Sequence, residues 1–170
     1  MCLLLAFLLF LLGFFLFYLA ERRRQSAGLP RGRVISTDTG NWGPVTAPLY
    51  DPYLGLTGKP DYLVASGPDL IPVEVKSTRA PTIPYDSHIY QLAAYCLLVE
   101  SHYDKRPPYG ILHYKDRSFA IDYTFELEEM LLEVIESMRA QEGRSAIDRS
   151  HTQPARCARC GYRSQCDQRL

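Results

Sequence analysis

The stretch GKPDYLVASGPDLIPVEVK, Gly58 to Lys76, decides how the chain folds. Asp61 to Ala65 reads as a strand, Ser66-Gly67-Pro68-Asp69 as a turn, and Leu70 to Lys76 as the hairpin partner. Side chains alternate across a strand, so Glu74 and Lys76 project together and Val75 is expected to turn into the core. Pairing of the two strands brings Asp61 beside them. The expected result is two carboxylates and an ammonium on one face of a sheet.

Outward from this hairpin the chain alternates strands and helices. Arg33 to Thr37 reads as a first strand that ends at the turn-prone Asp38-Thr39-Gly40. Pro44, Pro48, Pro52 and Pro60 break the next stretch into loops and short extended pieces, and loop chemistry returns from Thr78 to Pro84. From Asp86 to about Ser101, Ile89, Leu92, Ala93, Cys96, Leu97 and Val99 recur at helical spacing without a breaker. Lys105 to Pro108 ends that helix. Tyr109 to Tyr114 and Ser118 to Tyr123 form a strand pair around Lys115-Asp116-Arg117. A second helix is expected from Thr124, an N-cap, to near Gln141, with a buried stripe of Leu127, Met130, Leu131, Val134, Ile135 and Met138. The order predicts an α/β sandwich without internal repeats.

Asp61, Glu74 and Lys76 match the needs of phosphodiester hydrolysis, which requires an activated water, charge compensation on the phosphate and help for the leaving oxygen. Two carboxylates can hold Mg²⁺ or Mn²⁺, ions that prefer oxygen ligands and keep several waters. The backbone carbonyl of Val75 is a further candidate ligand. Lys76 would orient or deprotonate the attacking water and offset phosphate charge. Glu-x-Lys on a strand is by itself a common solvated surface, so the context matters. Asp61 follows a Gly-Lys-Pro turn, and Gln91 and Tyr95 stand four apart on the next helix, sharing a face.

These motifs, GLTGKPD (55–61), IPVEVK (71–76) and QLAAY (91–95), resemble the RecB-like branch of the PD-(D/E)XK nuclease superfamily. The resemblance is nearest to the CRISPR-associated exonucleases that carry four cysteines and an iron–sulfur cluster, and it covers Gly55 to Leu170. It implies a restriction-endonuclease-like mixed sheet flanked by helices, with Asp61 and Glu74 binding the metal and Lys76 catalytic. It also implies that Gln91 and Tyr95 contact the DNA end or steady the site. The family's metal-binding histidine on an N-terminal helix has no counterpart between Arg22 and Gly58. Asp38 is the acidic residue whose position offers a substitute. His88, His102 and His113 follow the motifs and read as ordinary surface or helix-end histidines.

The C-terminus holds Cys157, Cys160 and Cys166, three of five cysteines in the chain. An odd number clustered in this way reads as metal ligation rather than a disulfide framework. Composition alone favours a structural zinc site with His151. The resemblance implies instead a [4Fe–4S] cluster on Cys157, Cys160 and Cys166 that ties down the tail. The family's fourth cysteine lies upstream of the nuclease motifs, where this chain has only Cys2; Cys96 and His151 are the remaining candidates, and neither belongs to the family pattern.

The first twenty residues are almost uninterrupted Leu, Phe and Ala without charge. A helix of that length spans roughly 30 Å, the thickness of a bilayer's hydrocarbon core. No positive residue precedes the run, Tyr18-Leu19-Ala20 makes a poor cleavage site, and Arg22, Arg23 and Arg24 follow at once. The expectation is an uncleaved single-pass anchor in membrane lipid, with the soluble part cytoplasmic and Cys2 at the outer edge. The organisation read from sequence is an anchor over 1–20, a basic juxtamembrane tether over 21–32, a nuclease core over 33–145 and a cysteine-rich tail over 146–170.

Formal net charge is zero, so bulk charge gives no sign of nucleic-acid binding, while a local basic groove stays open. The leading function is a membrane-anchored, Mg²⁺- or Mn²⁺-dependent deoxyribonuclease, more an exonuclease than an endonuclease, acting on ends or single strands. The alternatives are an inactive nuclease-fold module that binds nucleic acid and a membrane-tethered metal-binding scaffold.

Overall fold

The computed structural model describes residues 30, 32–35 and 42–170. It divides into two compact units, one ending at Leu132 and one running from Glu133 to Leu170. The stretch from Gly58 to Lys76 forms a hairpin of β5 (Tyr62–Ser66) and β6 (Asp69–Lys76), antiparallel, with Ser66 opposite Asp69 and Tyr62 opposite Val73. Gly67 sits in the turn at φ +59°, the backbone sign that a two-residue hairpin needs at its first loop position.

Helix α1 (Asp86–Tyr103) follows, then β7 (Tyr109–Tyr114), which lies parallel to β6 with Glu74 opposite Leu112 and Lys76 opposite Tyr114. Parallel neighbours cannot be joined by a tight turn, and α1 is the crossover that links them. Asp104, in the left-handed region at φ 53°, ends the helix. β8 (Ser118–Asp122) returns antiparallel to β7. β1 (Arg33–Ile35) adds to β8, and β2 (Trp42–Pro44) adds to β5. Among the described residues the sheet order is therefore β1-β8-β7-β6-β5-β2. β3 (Leu49–Asp51) and β4 (Leu56–Gly58) form a separate two-stranded ribbon. The buried Asp51 holds the loop of this ribbon, its Oδ1 accepting from the backbone N–H groups of Tyr53 (2.9 Å) and Leu54 (2.8 Å).

The mixed α/β sheet agrees with the sequence expectation, and the two sheet faces differ in use. Helix α1 covers one face through Ile89, Leu92, Ala93 and Cys96, all buried. Gly110 permits this approach, because a Cβ there would stand 2.6 Å from Leu92 Cγ. Alternation puts Gly110, Leu112 and Tyr114 of β7 on the α1 side, and the register puts Glu74 and Lys76 of β6 with them. The opposite face carries the cluster Ile71, Val73 and Ile111, packed by Ile35, Trp42, Tyr62, Val64 and Tyr109.

Two expectations are corrected. Val75 is not in the core but 37% exposed on the second face. Its neighbours explain this: β5 ends its pairing at Tyr62 opposite Val73, so the flank beyond is open. The second helix is α2 (Phe125–Arg139), and only Leu127 and Leu131 of its stripe are buried. Val134 is exposed and Met138 is 65% exposed, while Met130 and Ile135 are half-buried. Periodicity marks the face that can be covered and does not supply the cover. Thr124 does cap α2, its Oγ1 accepting from Leu127 N–H at 3.2 Å. A short helix α3 (Pro154–Ala158) precedes the last cysteines.

Arg106 joins the end of α1 to the start of α2. Its Nη1 lies 2.7 Å from carboxylate oxygens of both Glu100 and Glu128, and its guanidinium stands over the rings of Tyr123 (4.3 Å) and Phe125 (4.4 Å). Among the described residues no helix is long and apolar enough to cross a membrane. The apolar run 1–20, Cys2, the arginines at 22–24 and Asp38 lie outside the described residues.

Candidate active site

The hairpin sets Glu74 and Lys76 on the α1 face near the open end of β6, and Asp61 stands one residue before β5 begins. Asp61 Oδ2 accepts from the backbone N–H of Val75 at 2.7 Å, which fixes the start of β5 against the end of β6. Its own carbonyl accepts from Val45 N–H at 3.3 Å. In an extended strand the N–H and C=O of one residue point to the same flank, so the Val75 carbonyl is on the side of Asp61.

A chain of side-chain hydrogen bonds then links strand to helix. Lys76 Nζ donates to Glu74 Oε1 at 2.8 Å and to Gln91 Oε1 at 2.7 Å. Gln91 Nε2 donates to Glu74 Oε1 at 3.0 Å and to Tyr95 Oη at 2.9 Å. Gln91 thus clamps both charged residues, and Tyr95 holds Gln91 from the next turn. Gly58 in β4 makes room for that tyrosine: a Cβ there would meet Tyr95 Cε1 at 2.8 Å and Leu98 Cδ1 at 2.9 Å. The chain leaving Lys76 is pinned in turn, with Ala80 N–H donating to Asp116 Oδ1 at 2.7 Å and Lys115 N–H to the Thr78 carbonyl at 3.2 Å.

Glu74 is only 7% exposed, and its burial pushes the carboxyl above its ordinary range. The hydrogen bond and charge of Lys76 pull the other way, while the facing Asp61 carboxylate pushes it up again. Two carboxylates so placed compete for one positive partner, which a divalent cation supplies. The donor set fits Mg²⁺ or Mn²⁺, which Asp61, Glu74 and the Val75 carbonyl would hold. Such an ion would lower the pKa of water and offset phosphate charge. An ammonium has three N–H groups, and Lys76 spends two on Glu74 and Gln91. The third is left for an attacking water or a phosphate oxygen. This arrangement suits orientation of the water by Lys76. Tyr95 is buried, which raises its phenol, so it serves as a neutral prop inside the site.

One histidine that sequence reading set aside belongs beside this site. His88 precedes Gln91 by three residues and so shares its helix face. Its Nδ1 lies 2.7 Å from the hydroxyl of Tyr114, and Tyr114 is the β7 residue opposite Lys76. Burial, and then the charge of Lys76, hold the imidazole below its ordinary range. The spacing 88, 91, 95 was the available signal. His102 is an exposed helix-end residue against Tyr103, and His113 lies on the opposite sheet face, bonded to Ser118 at 2.8 Å and edge-on to Trp42.

The C-terminal thiols do not form a comparable centre. Cys157 is buried and accepts from Leu170 N–H at 3.4 Å, Cys160 is exposed, and Cys166 is half-buried. His151 Nδ1 accepts from Gln153 N–H at 3.3 Å. Cys96 is enclosed in the first unit, where burial drives its thiol strongly toward the protonated form. Among the described residues no group of three or more His, Cys, Asp or Glu side chains is placed to hold one ion.

Comparison with curated proteins returned no match. Among chains of solved structure, seventeen match. One, described as "Crystal structure of SSO0001", has a TM-score of 0.49 and 18% identity, covering 78% of this chain and 64% of that one. This chain therefore spans less than two thirds of that protein's length. The family model for the PD-(D/E)XK nuclease superfamily matches residues 10–167, nearly the whole sequence. With Asp61, Glu74 and Lys76 gathered at the end of one hairpin, the chain belongs to the PD-(D/E)XK nuclease superfamily.

Proposed function

We propose that the chain is a membrane-anchored deoxyribonuclease that uses Mg²⁺ or Mn²⁺ and acts on DNA ends or single strands. The observation that supports it most is the bond from Lys76 to Glu74, clamped by Gln91, with Asp61 tied to the next backbone N–H. In the reaction a water oxygen bonds to phosphorus while the bond from phosphorus to the leaving sugar oxygen breaks. The water gives up a proton and the departing oxygen gains one. Lys76 orients the water or a phosphate oxygen through its free N–H, and Gln91 and Tyr95 keep Lys76 and Glu74 in place.

A RecB-like lineage and an exonuclease mode rest on the motifs from Gly55 to Tyr95. The anchor and a cytoplasmic site rest on the apolar run 1–20 and the arginines that follow it. The cysteine tail has no part in the mechanism. The test is incubation of the full-length chain, in mild detergent, with end-labelled single- and double-stranded DNA. Cleavage that requires Mn²⁺ or Mg²⁺ and stops with EDTA supports the reading. Folded protein that binds DNA without cutting it in any metal would point to the inactive module instead.

A further inference from the structure

The mechanism leaves unused Tyr85 and His88 at the start of α1 and Tyr114 at the end of β7. Tyr85, the residue before the helix, is 57% exposed, and its ring stands perpendicular to that of His88 with centroids 5.3 Å apart. His88 in turn rests on Tyr114, whose side chain is fully buried and packs edge-on against Phe119 at 5.9 Å. Tyr114 is paired with Lys76 across the parallel ladder, and both lie on the α1 face. The group therefore begins one strand away from the catalytic lysine and rises through His88 to an open ring.

The hydrogen bond between His88 and Tyr114 has a direction. Burial pushes the Tyr114 phenol up to about 12, so it stays a hydroxyl. Among the described residues His88 Nδ1 is its hydrogen-bond partner, and of the two neutral tautomers the one in which Nδ1 accepts is the one that leaves no buried O–H without an acceptor. A neutral imidazole that accepts at Nδ1 carries its proton on Nε2. His88 is thus held as a neutral Nε2–H donor beside Lys76. An uncharged donor next to an exposed tyrosine is suited to a nucleotide, whose phosphate takes the N–H and whose base takes the ring.

We infer that Tyr85 and His88 form a subsite for one unpaired nucleotide next to the catalytic residues, with the base stacked on Tyr85, the phosphate bonded to His88 Nε2–H, and Tyr114 as the residue that positions His88. This rests on the nuclease reading and deepens it, because a base inside a duplex has no free face to offer. The substrate class it specifies is DNA with a single-stranded end.

The test uses the full-length chain in mild detergent. Binding of fluorescein-labelled oligothymidylate is read by anisotropy in EDTA, and cleavage of the same strand is followed in Mn²⁺. Tyr85→Ala weakens binding roughly tenfold and Tyr85→Trp restores it, as stacking demands. Binding to a blunt duplex is unchanged by either. His88→Ala raises KM several-fold with kcat nearly kept, and His88→Gln, whose amide nitrogen can stand in for Nε2, recovers most of the loss. Tyr114→Phe reproduces the KM effect of His88→Ala in milder form. Wild-type cleavage with unchanged binding and KM in Tyr85→Ala and His88→Ala overturns the subsite and leaves the nuclease reading intact. Binding that depends on Tyr85 and His88 without any cleavage keeps the subsite and removes the nuclease reading. Folded wild-type protein that neither binds nor cuts the strand overturns both.

Discussion

Replacing Gly58 by alanine adds one methyl group, yet it reaches the active site through two side chains. The new Cβ would stand 2.8 Å from Tyr95 Cε1, 2.9 Å from Leu98 Cδ1 and 3.1 Å from Tyr95 Cδ1. Carbon atoms settle at roughly 3.5–4.0 Å, so the overlap with each neighbour is about 0.6–1.2 Å at its nearest atom. Neither neighbour is free to yield: Leu98 is fully buried, and Tyr95 is enclosed and bonded to Gln91 at 2.9 Å. Overpacking of this kind costs about 1–3 kcal/mol. The ring must move, and with it the amide that clamps Lys76 and Glu74. A displacement near 1 Å in a catalytic group lowers rate by roughly a hundredfold. Thermal melting and DNA cleavage should therefore both fall in Gly58→Ala. Adding Tyr95→Ala should make the stability losses less than additive, because the ring that clashes is gone. A Gly58→Ala protein with wild-type melting and wild-type activity would refute the argument that β4 seats Tyr95.

Three other expectations concern charge and thiols. Burial raises Glu74, so the folded carboxyl keeps its proton to higher pH than the unfolded one; its stabilising effect is complete below the ordinary value of 4.5 and is lost as pH rises through the folded value. A divalent ion needs the carboxylate, so the gain in melting temperature on adding Mn²⁺ should be larger at about pH 8 than at about pH 5, and an equal gain at both would contradict it. Arg106→Ala removes two ion pairs and two ring contacts at a partly exposed position and should cost about 1–2 kcal/mol in urea unfolding. Arg106→Lys should not restore the loss, since an ammonium lacks the planar fork. Cys160 should react with a thiol reagent in the native protein and Cys96 only after unfolding; a protected Cys160 would mean that the tail holds a metal.

Local signals made much of this architecture readable in advance. Gly67 and the alternation around it specified the β5–β6 hairpin, and an unbroken apolar period specified α1 with its end near Lys105. Asp61, Glu74, Lys76, Gln91 and Tyr95 come together because two strand partners and one helix face converge, and each of those relations has a sequence period. What the sequence left out depends on partners distant in the chain. Val75 is exposed because the β5 ladder ends at Tyr62 opposite Val73, two pairs before it, and Met138 is exposed because no described residue covers the second half of a well-patterned stripe. His88 gains its place from Tyr114, twenty-six residues later on another strand. The three C-terminal cysteines have the spacing of a ligand set, while among the described residues no group of three or more His, Cys, Asp or Glu side chains is placed to hold one ion.

Lys76→Ala offers the most direct test of the central claim. The variant removes the donor shared by Glu74 and Gln91 from a site near the strand end, while the core cluster Ile71, Val73 and Ile111 on the other face is untouched. End-labelled DNA in Mn²⁺, incubated with wild type and with the variant at equal folded concentration, should be cleaved by the wild type and left whole by Lys76→Ala. Equal cleavage by the two proteins would contradict the assignment of the active site.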